Sequence, residues 1–382
     1  MAALLRSLVA LLLIGAVVGA LTLAFARSAL QEPFQAFPGS QIVVTIPSGA
    51  SVRQGLRLLE DKGVIADQRW ARLYWRFTLE NPVLIAGEYL FRGPAATPEV
   101  LAKVTRGEVL THRVTLLEGL TFDEIARHLS NKGFGSYEAF LSEMNSPLRI
   151  RDLDENATDL EGYLFPDTYA FARGTSESQI VDTLVKASRA RFLEARSMAS
   201  TGGSIWTTGA MGAMGAGEAS TDGLALTLRE LVILASIVEK EALLDRERPI
   251  IAGVYANRLR RGMGLYADPT IIYALKRLGT WDGNLRRRDL EMDSPYNTYR
   301  SVGLPPGPIC SPGLASLAAA MAPADVPYLY FVSRNDGSHV FARTLAEHNR
   351  NVYQWQKLYW RQRWAENPAE SPAKNPEGEE VH

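Results

Sequence analysis

The residues best placed to do chemistry are two carboxylates at the end of an apolar helix. Leu228, Leu231 to Ala235, Ile237 and Val238 make a segment apolar around most of a helical circumference, and it runs directly into Glu239-Lys240-Glu241. A helix of that kind is buried. At about 100° per residue, Glu239 continues the face of Val232 and Ala235, and Glu241 continues the face of Leu234 and Ile237. At least one carboxyl therefore emerges beside apolar side chains. Desolvation there disfavours the charged form, which keeps an acid protonated near neutral pH and fits it for general acid catalysis. A helix end turned to solvent, with Lys240, Asp245, Arg246 and Glu247 as surface charges, satisfies the same pattern. Spacing alone does not choose between the two acids.

Other segments carry weaker signals. Glu161-Gly162-Tyr163-Leu164-Phe165-Pro166-Asp167-Thr168-Tyr169 sets an acid before aromatics and a turn-forming proline. It suits a sugar-lining loop or a loop packed on the core. In Tyr266-Ala267-Asp268-Pro269-Thr270, Asp268 is expected as the N-cap and Pro269 as the first residue of the next helix. Tyr296 and Asn297 lie in Asp293-Ser294-Pro295-Tyr296-Asn297-Thr298-Tyr299. With Gly303-Leu304-Pro305-Pro306-Gly307-Pro308, that loop is dense in turn formers and hydrogen-bonding groups, as binding clefts often are. Cys310 is the single cysteine, which removes a disulfide framework and any multi-thiolate metal site. His112, His128, His339, His348 and His382 show no HExxH spacing. No metal and no cofactor are expected. GxSxG and Walker A runs are lacking too.

The elements that position these groups follow from periodicity. Val44-Thr45-Ile46-Pro47-Ser48-Gly49-Ala50-Ser51-Val52 recurs as Val114-Thr115-Leu116-Leu117-Glu118-Gly119-Leu120-Thr121-Phe122. Each copy predicts a strand, a glycine turn, a Ser51 or Thr121 N-cap, a helix, and a terminating Gly63 or Gly133. Trp70, Tyr74, Trp75 and Phe77 fall on one helix and read as core. Tyr328 to Phe341 reads as a β-hairpin turning near Asp336-Gly337. The stretch 197–223 is biased to Ser, Thr, Gly, Ala and Met and reads as a flexible insertion, which makes Glu218 a poor candidate acid.

The chain has 382 residues, with 41 Lys+Arg against 42 Asp+Glu. That balance gives no basic surplus for nucleic acid. Leu8 to Ala26 is uncharged and rises about 28 Å as a helix, close to the thickness of a hydrocarbon core. Ala24-Phe25-Ala26 has the form of a cleavage site, but the run is longer than a signal-peptide core, which favours a single transmembrane anchor. The expected organisation is a cytoplasmic tail at 1–7, the anchor at 8–26 and a linker at 27–41. An α+β region at 42–112 follows, then a mixed α/β domain at 113–365, and a disordered tail at 366–382.

Taken in order, these motifs carry a resemblance. Glu161 to Tyr169, Ala235-Ser236-Ile237-Val238-Glu239-Lys240-Glu241, Asn257-Arg258-Leu259, Asp268-Pro269-Thr270, Tyr296-Asn297-Thr298-Tyr299 and Gly303-Leu304-Pro305-Pro306-Gly307 together resemble the endolytic murein transglycosylase family, of the MltG or YceG-like type. The resemblance spans about Val44 to Lys357. It implies LysM-like N-terminal substructure, most clearly at Val114 to Ser130, and a catalytic domain with lysozyme-like features. It also implies an inner-membrane protein with its bulk in the periplasm, acting near membrane-bound peptidoglycan synthases. The implied reaction cuts glycan strands to leave 1,6-anhydro-N-acetylmuramic acid ends and so terminates elongation. The family's catalytic glutamate falls on Glu241, with Glu239, Glu161, Tyr296 and Asn297 as supporting or sugar-holding residues. Ala242 stands where such enzymes often carry a hydroxyl. A hydrolysing muramidase, with Glu161 or Asp268 as second carboxylate, and a tethered peptidoglycan-binding protein are the alternatives.

Overall fold

The computed structural model describes Ile14, Val17 and residues 28–80, 82–199 and 224–366. Nearly all of the apolar run 8–26, most of the expected insertion and the tail from 367 lie outside the described residues. Among the described residues no helix is long and apolar enough to cross a membrane. The chain divides into two units, one up to Arg113 with Ala170–Thr175, the other Val114–Tyr169 with Ser176 onward.

In the first unit, strand β1 (Gln41–Ile46) pairs antiparallel with β2 (Gly87–Arg92), and helices α1 (Val52–Asp61), α2 (Gln68–Thr78) and α3 (Thr97–Arg106) complete it. Alternation along β1 turns Val44 and Ile46 inward, onto Leu56, Leu59, Tyr89 and Leu101. Helix α2 corrects one expectation. Trp75 is core, but Trp70 and Phe77 are 38% and 75% exposed.

The second copy of the repeat opens the second unit. Strand β3 (Thr111–Thr115) leads through a turn into α4 (Phe122–Asn131). The two copies share their local physics. Ser51 and Thr121 each accept from a backbone N–H three residues on, and Gln54 and Glu124 each reach back to the cap's own N–H. These are capping boxes, which satisfy otherwise orphaned helix donors. Each helix ends into a left-handed glycine, Gly63 (φ 71°) and Gly133 (φ 74°).

Beyond it come α5 (Tyr137–Met144), β4 (Thr168–Ala172), α6 (Glu177–Ala199), α7 (Leu228–Glu241), α8 (Arg248–Arg260), α9 (Asp268–Arg277) and α10 (Leu314–Met321). Then β5 (Tyr330–Ser333) and β6 (His339–Ala342) form the expected hairpin, whose turn contains Asn335 and Gly337 at positive φ. Helices α11 (Leu345–Val352) and α12 (Tyr359–Glu366) flank a π-helical segment, Tyr353–Leu358. Ser197 to Ala199 belong to the last turn of α6, so the expected insertion starts no earlier than 200.

Helix α7 is the buried axis of this unit. Leu231 to Val238 are at most 2% exposed, and α8, α9 and α10 lie against them. Thr227 caps its start with a further capping box through Glu230. Two loops close over it. Ser236 Oγ accepts from Ile309 N–H at 3.1 Å, and Cys310 Sγ donates to Ser236 O at 3.3 Å, so Cys310 is a buried structural thiol. Gly162, at φ 83°, passes so close that a Cβ there would stand 2.6 Å from Pro308 and 2.8 Å from Val232. Only glycine fits both the backbone and the space.

Candidate active site

Glu241 is the last residue of α7, half-buried, with Ala242 as the C-cap. Its Oε1 accepts from Tyr255 Oη at 2.9 Å. Tyr255 is fully buried in the middle of α8. One turn later on α8, Arg258 is buried as well, and its Nε donates to Leu329 O at 2.7 Å. A further bond reaches Leu265 O. Its guanidinium lies 5.8 Å from the Tyr255 ring centre and 5.7 Å from that of Tyr266.

Burial pushes the Glu241 carboxyl up to about 7; the Tyr255 hydrogen bond opposes this, the nearby negative charge of Asp268 adds to it, and Arg258 opposes it. A carboxylic acid near 7 is poised to give and recover a proton at neutral pH. A half-buried carboxyl that is desolvated but not sealed off is what a general acid needs.

Asp268 opens α9 and corrects an expectation. The N-cap is Ala267, and no side chain caps this helix. The Asp268 carboxylate instead accepts from Tyr299 Oη at 2.5 Å. Thr298 places that tyrosine: its Oγ1 accepts from Ala267 N–H at 3.0 Å, and its carbonyl accepts from Tyr266 N–H at 3.2 Å. Tyr266 is 47% exposed, sits at φ 49°, and meets Tyr299 edge-on at 5.5 Å. A bulky residue at positive φ is strained, and such strain clusters at functional sites. The result is an exposed aromatic and a fixed carboxylate beside Glu241.

Glu239 has a different occupation. Its Oε1 accepts from Arg248 Nη1 at 3.1 Å, and its Oε2 accepts from Gly313 N–H, the N-cap of α10, at 2.9 Å. Arg248 also donates to Ser316 Oγ at 2.6 Å and to Asp245 at 3.0 Å. The Arg248 and Glu239 side chains are 7% and 6% exposed. Glu239 therefore fastens three segments together, and both of its oxygens are engaged.

Glu161, Tyr296 and Asn297 lie elsewhere. Glu161 is 2% exposed, accepts from Phe122 N–H at 3.1 Å and from Tyr273 Oη at 3.2 Å. Burial raises its pKa well above the ordinary carboxylate value. These partners are distinct from those of Glu241. Glu161 floors an open groove of about 760 Å³ lined by Phe122, Arg127, Tyr273, Arg277 and Trp281. Tyr296 packs on Tyr273 at 5.0 Å, so it sides with Glu161. Asn297 is fully buried, and its Nδ2 donates to Leu290 O and Met292 O at 2.9 and 2.8 Å. It staples the loop that carries Tyr299.

The sequence reading assigned no role to Tyr255, Arg258, Tyr266 or Tyr299. One signal was available: Arg258 lies three, four and seven residues after Tyr255, Val254 and Ile251, on the apolar face of its helix, and a charge on such a face needs a buried partner. Among the described residues, no group of three or more His, Cys, Asp or Glu side chains is placed to hold a metal ion.

The model of the YceG-like family matches residues 44–354. The endolytic murein transglycosylase of Bacillus subtilis (strain 168) is 29% identical over 337 residues, covering 84% of this chain and 86% of that protein. That of Streptococcus pneumoniae (strain ATCC BAA-255 / R6) is 29% identical over 352 residues, 84% of this chain and 59% of that protein. A crystal structure of a yceG-like protein from Listeria monocytogenes matches with a TM-score of 0.51 and 31% identity, covering 81% of this chain and 98% of that one.

Proposed function

The chain belongs to the YceG-like family, and from that premise we propose that it is a murein lytic transglycosylase with Glu241 as its acid and base. The names carried by the relatives support the substrate. The observation that carries the mechanism is the half-buried Glu241 carboxyl at the end of α7, which accepts from Tyr255 Oη at 2.9 Å and is pushed by burial up to about 7. Protonated Glu241 gives its proton to the glycosidic oxygen as the bond from the muramic C1 to that oxygen breaks. Positive charge builds on C1 and the ring oxygen, where the Asp268 carboxylate provides a fixed counter-charge. The C6 hydroxyl of the same sugar attacks C1, and its proton passes to the Glu241 carboxylate. One chain end is then a 1,6-anhydro ring and the other a free hydroxyl. Water does not enter, so no second carboxylate is required to activate it, in contrast to hydrolysis. Cutting nascent strands in this way would end their elongation. Mass spectrometry of digested peptidoglycan tests the reading. Anhydro ends are expected; reducing ends would make the protein a muramidase with Asp268 as second carboxylate, and uncut strands would make it a binder.

The Tyr255 bond makes a pH prediction. Tyr255→Phe removes a donor to the charged form of Glu241, so the carboxyl should titrate above about 7. The acid must be protonated to start the reaction, and the alkaline limb of kcat/KM should therefore move to higher pH, with little loss at pH 6. An unmoved limb would remove Glu241 from the rate.

The same reading extends to place and partners. Leu8 to Ala26 anchors the chain in the inner membrane, the bulk faces the periplasm, and membrane-bound synthases are the neighbours that supply nascent strands. The repeated strand–turn–helix units would hold glycan as LysM modules do. Intact-mass analysis of the native protein should find Met1 or Ala2 at the N-terminus; a start at Arg27 would show that the run is cleaved.

A further inference from the structure

Helix α2 turns an unusual face to solvent. Trp70, Leu73 and Phe77 are 38%, 45% and 75% exposed, and their i, i+3, i+7 spacing puts them on one stripe. Arg69, Arg72 and Arg76 are exposed too. At about 100° per residue, the order around the helix is Arg72, Arg76, Arg69, Leu73, Phe77, Trp70, within an arc of about 160°. Ala71 and Trp75 on the other side enter the core of the first unit. The helix carries no acidic residue, and Asp67 before it is engaged in capping, accepting from Arg69 N–H at 2.6 Å. An exposed Trp, Leu and Phe stripe bordered by arginines is the composition of a helix that lies in a membrane interface. Its apolar side chains enter the boundary between headgroups and acyl chains, and its guanidinium groups stay with anionic headgroups.

The length of the chain says which surface is within reach. Phe34 is fastened to the same unit by two backbone bonds with Ala95, of 3.0 and 3.3 Å. From Ala26, where the apolar run ends, to Phe34 the fully extended chain covers at most about 30 Å. We infer that α2 docks on the bilayer surface that receives the apolar run, with Trp70, Leu73 and Phe77 inserted and Arg69, Arg72 and Arg76 on anionic phospholipid headgroups. The inference rests on the membrane-anchor reading and is independent of the reaction. Each arginine close to an anionic surface contributes roughly fivefold in binding, so the three together give on the order of 100-fold.

The test uses the full chain with Phe77→Cys carrying a nitroxide, which the buried Cys310 does not compete for, in vesicles of phosphatidylcholine with phosphatidylglycerol. Arg57→Cys, at an exposed position of α1, is the solvent control. The Phe77 label should be shielded from a water-soluble nickel relaxant several-fold relative to the control. Adding Arg69→Glu, Arg72→Glu and Arg76→Glu should return it to solvent while the protein still floats with the vesicles. A solvent-exposed Phe77 label on protein that floats would overturn the docking and leave the anchor standing. Shielding that is unchanged by the charge reversals, or equal in pure phosphatidylcholine, would also overturn it and point to a protein covering the stripe. Protein that fails to float would overturn the anchor and the docking together.

Discussion

Glu241→Gln should abolish strand cleavage in a chain that still folds. Glutamine keeps the size of the side chain and can still accept from Tyr255 Oη, but it cannot give and recover a proton. General acid–base catalysis contributes about 10²–10⁴-fold, so the loss should be at least of that order, read as release of anhydro-ended fragments from purified glycan strands. Glu239→Gln is the informative companion. Its carboxylate is occupied by Arg248 and the Gly313 N–H, and a glutamine oxygen preserves one of these. Activity should fall far less there. An active Glu241→Gln with a dead Glu239→Gln would reverse the assignment. If both variants cleaved, the acid would lie elsewhere, with Glu161 the next to test.

Arg248→Met should produce the largest loss of stability. It removes the partner from a Glu239 side chain that is 6% exposed, along with the bonds to Ser316 and Asp245. An uncompensated buried charge costs about 3–5 kcal/mol. The urea midpoint should drop accordingly, and Glu239→Leu placed on top should recover part of the loss, since no stranded carboxylate then remains. An unfolding free energy within about 0.5 kcal/mol of the parent's would mean that Glu239 finds water or another donor, as at an ordinary surface position. Activity is expected to suffer as well, because Glu241 sits two residues from the loosened end of α7.

What was readable in the sequence is what short-range physics decides. The two strand–turn–helix units followed from Ser51 and Thr121 as caps and from Gly63 and Gly133 as terminators, all acting within a few residues. The burial of α7 followed from its composition, and the hairpin from its turn. Of the proposed site, the buried approach of α7 to Glu241 was legible, because the apolar run before it sits within one helix. The partner of Glu161, Tyr273, is 112 residues away in the chain and leaves no local signal. Asn297 looked like a sugar ligand for the same reason that makes it a good staple, since its amide bonds equally well to carbonyls and to hydroxyls. Asp-Pro at a helix start is a strong local signal for a cap at Asp268. Tyr299, 31 residues on, takes up its carboxylate instead.

The desolvation of Glu241 also ties the fold to the proton concentration outside it. Between the ordinary carboxyl value of 4.5 and about 7, the folded chain holds a proton at this residue that the unfolded chain has released. The contribution is fully present below 4.5 and lost as pH rises through about 7, so folding becomes less favourable by about 2–3 kcal/mol once partial exposure is allowed for. A glutamine at this position carries no such linkage. The cleavage-dead chain should therefore resist urea better than its parent at pH 8 and lose that advantage at pH 4, which sets turnover and persistence in opposition at a single side chain.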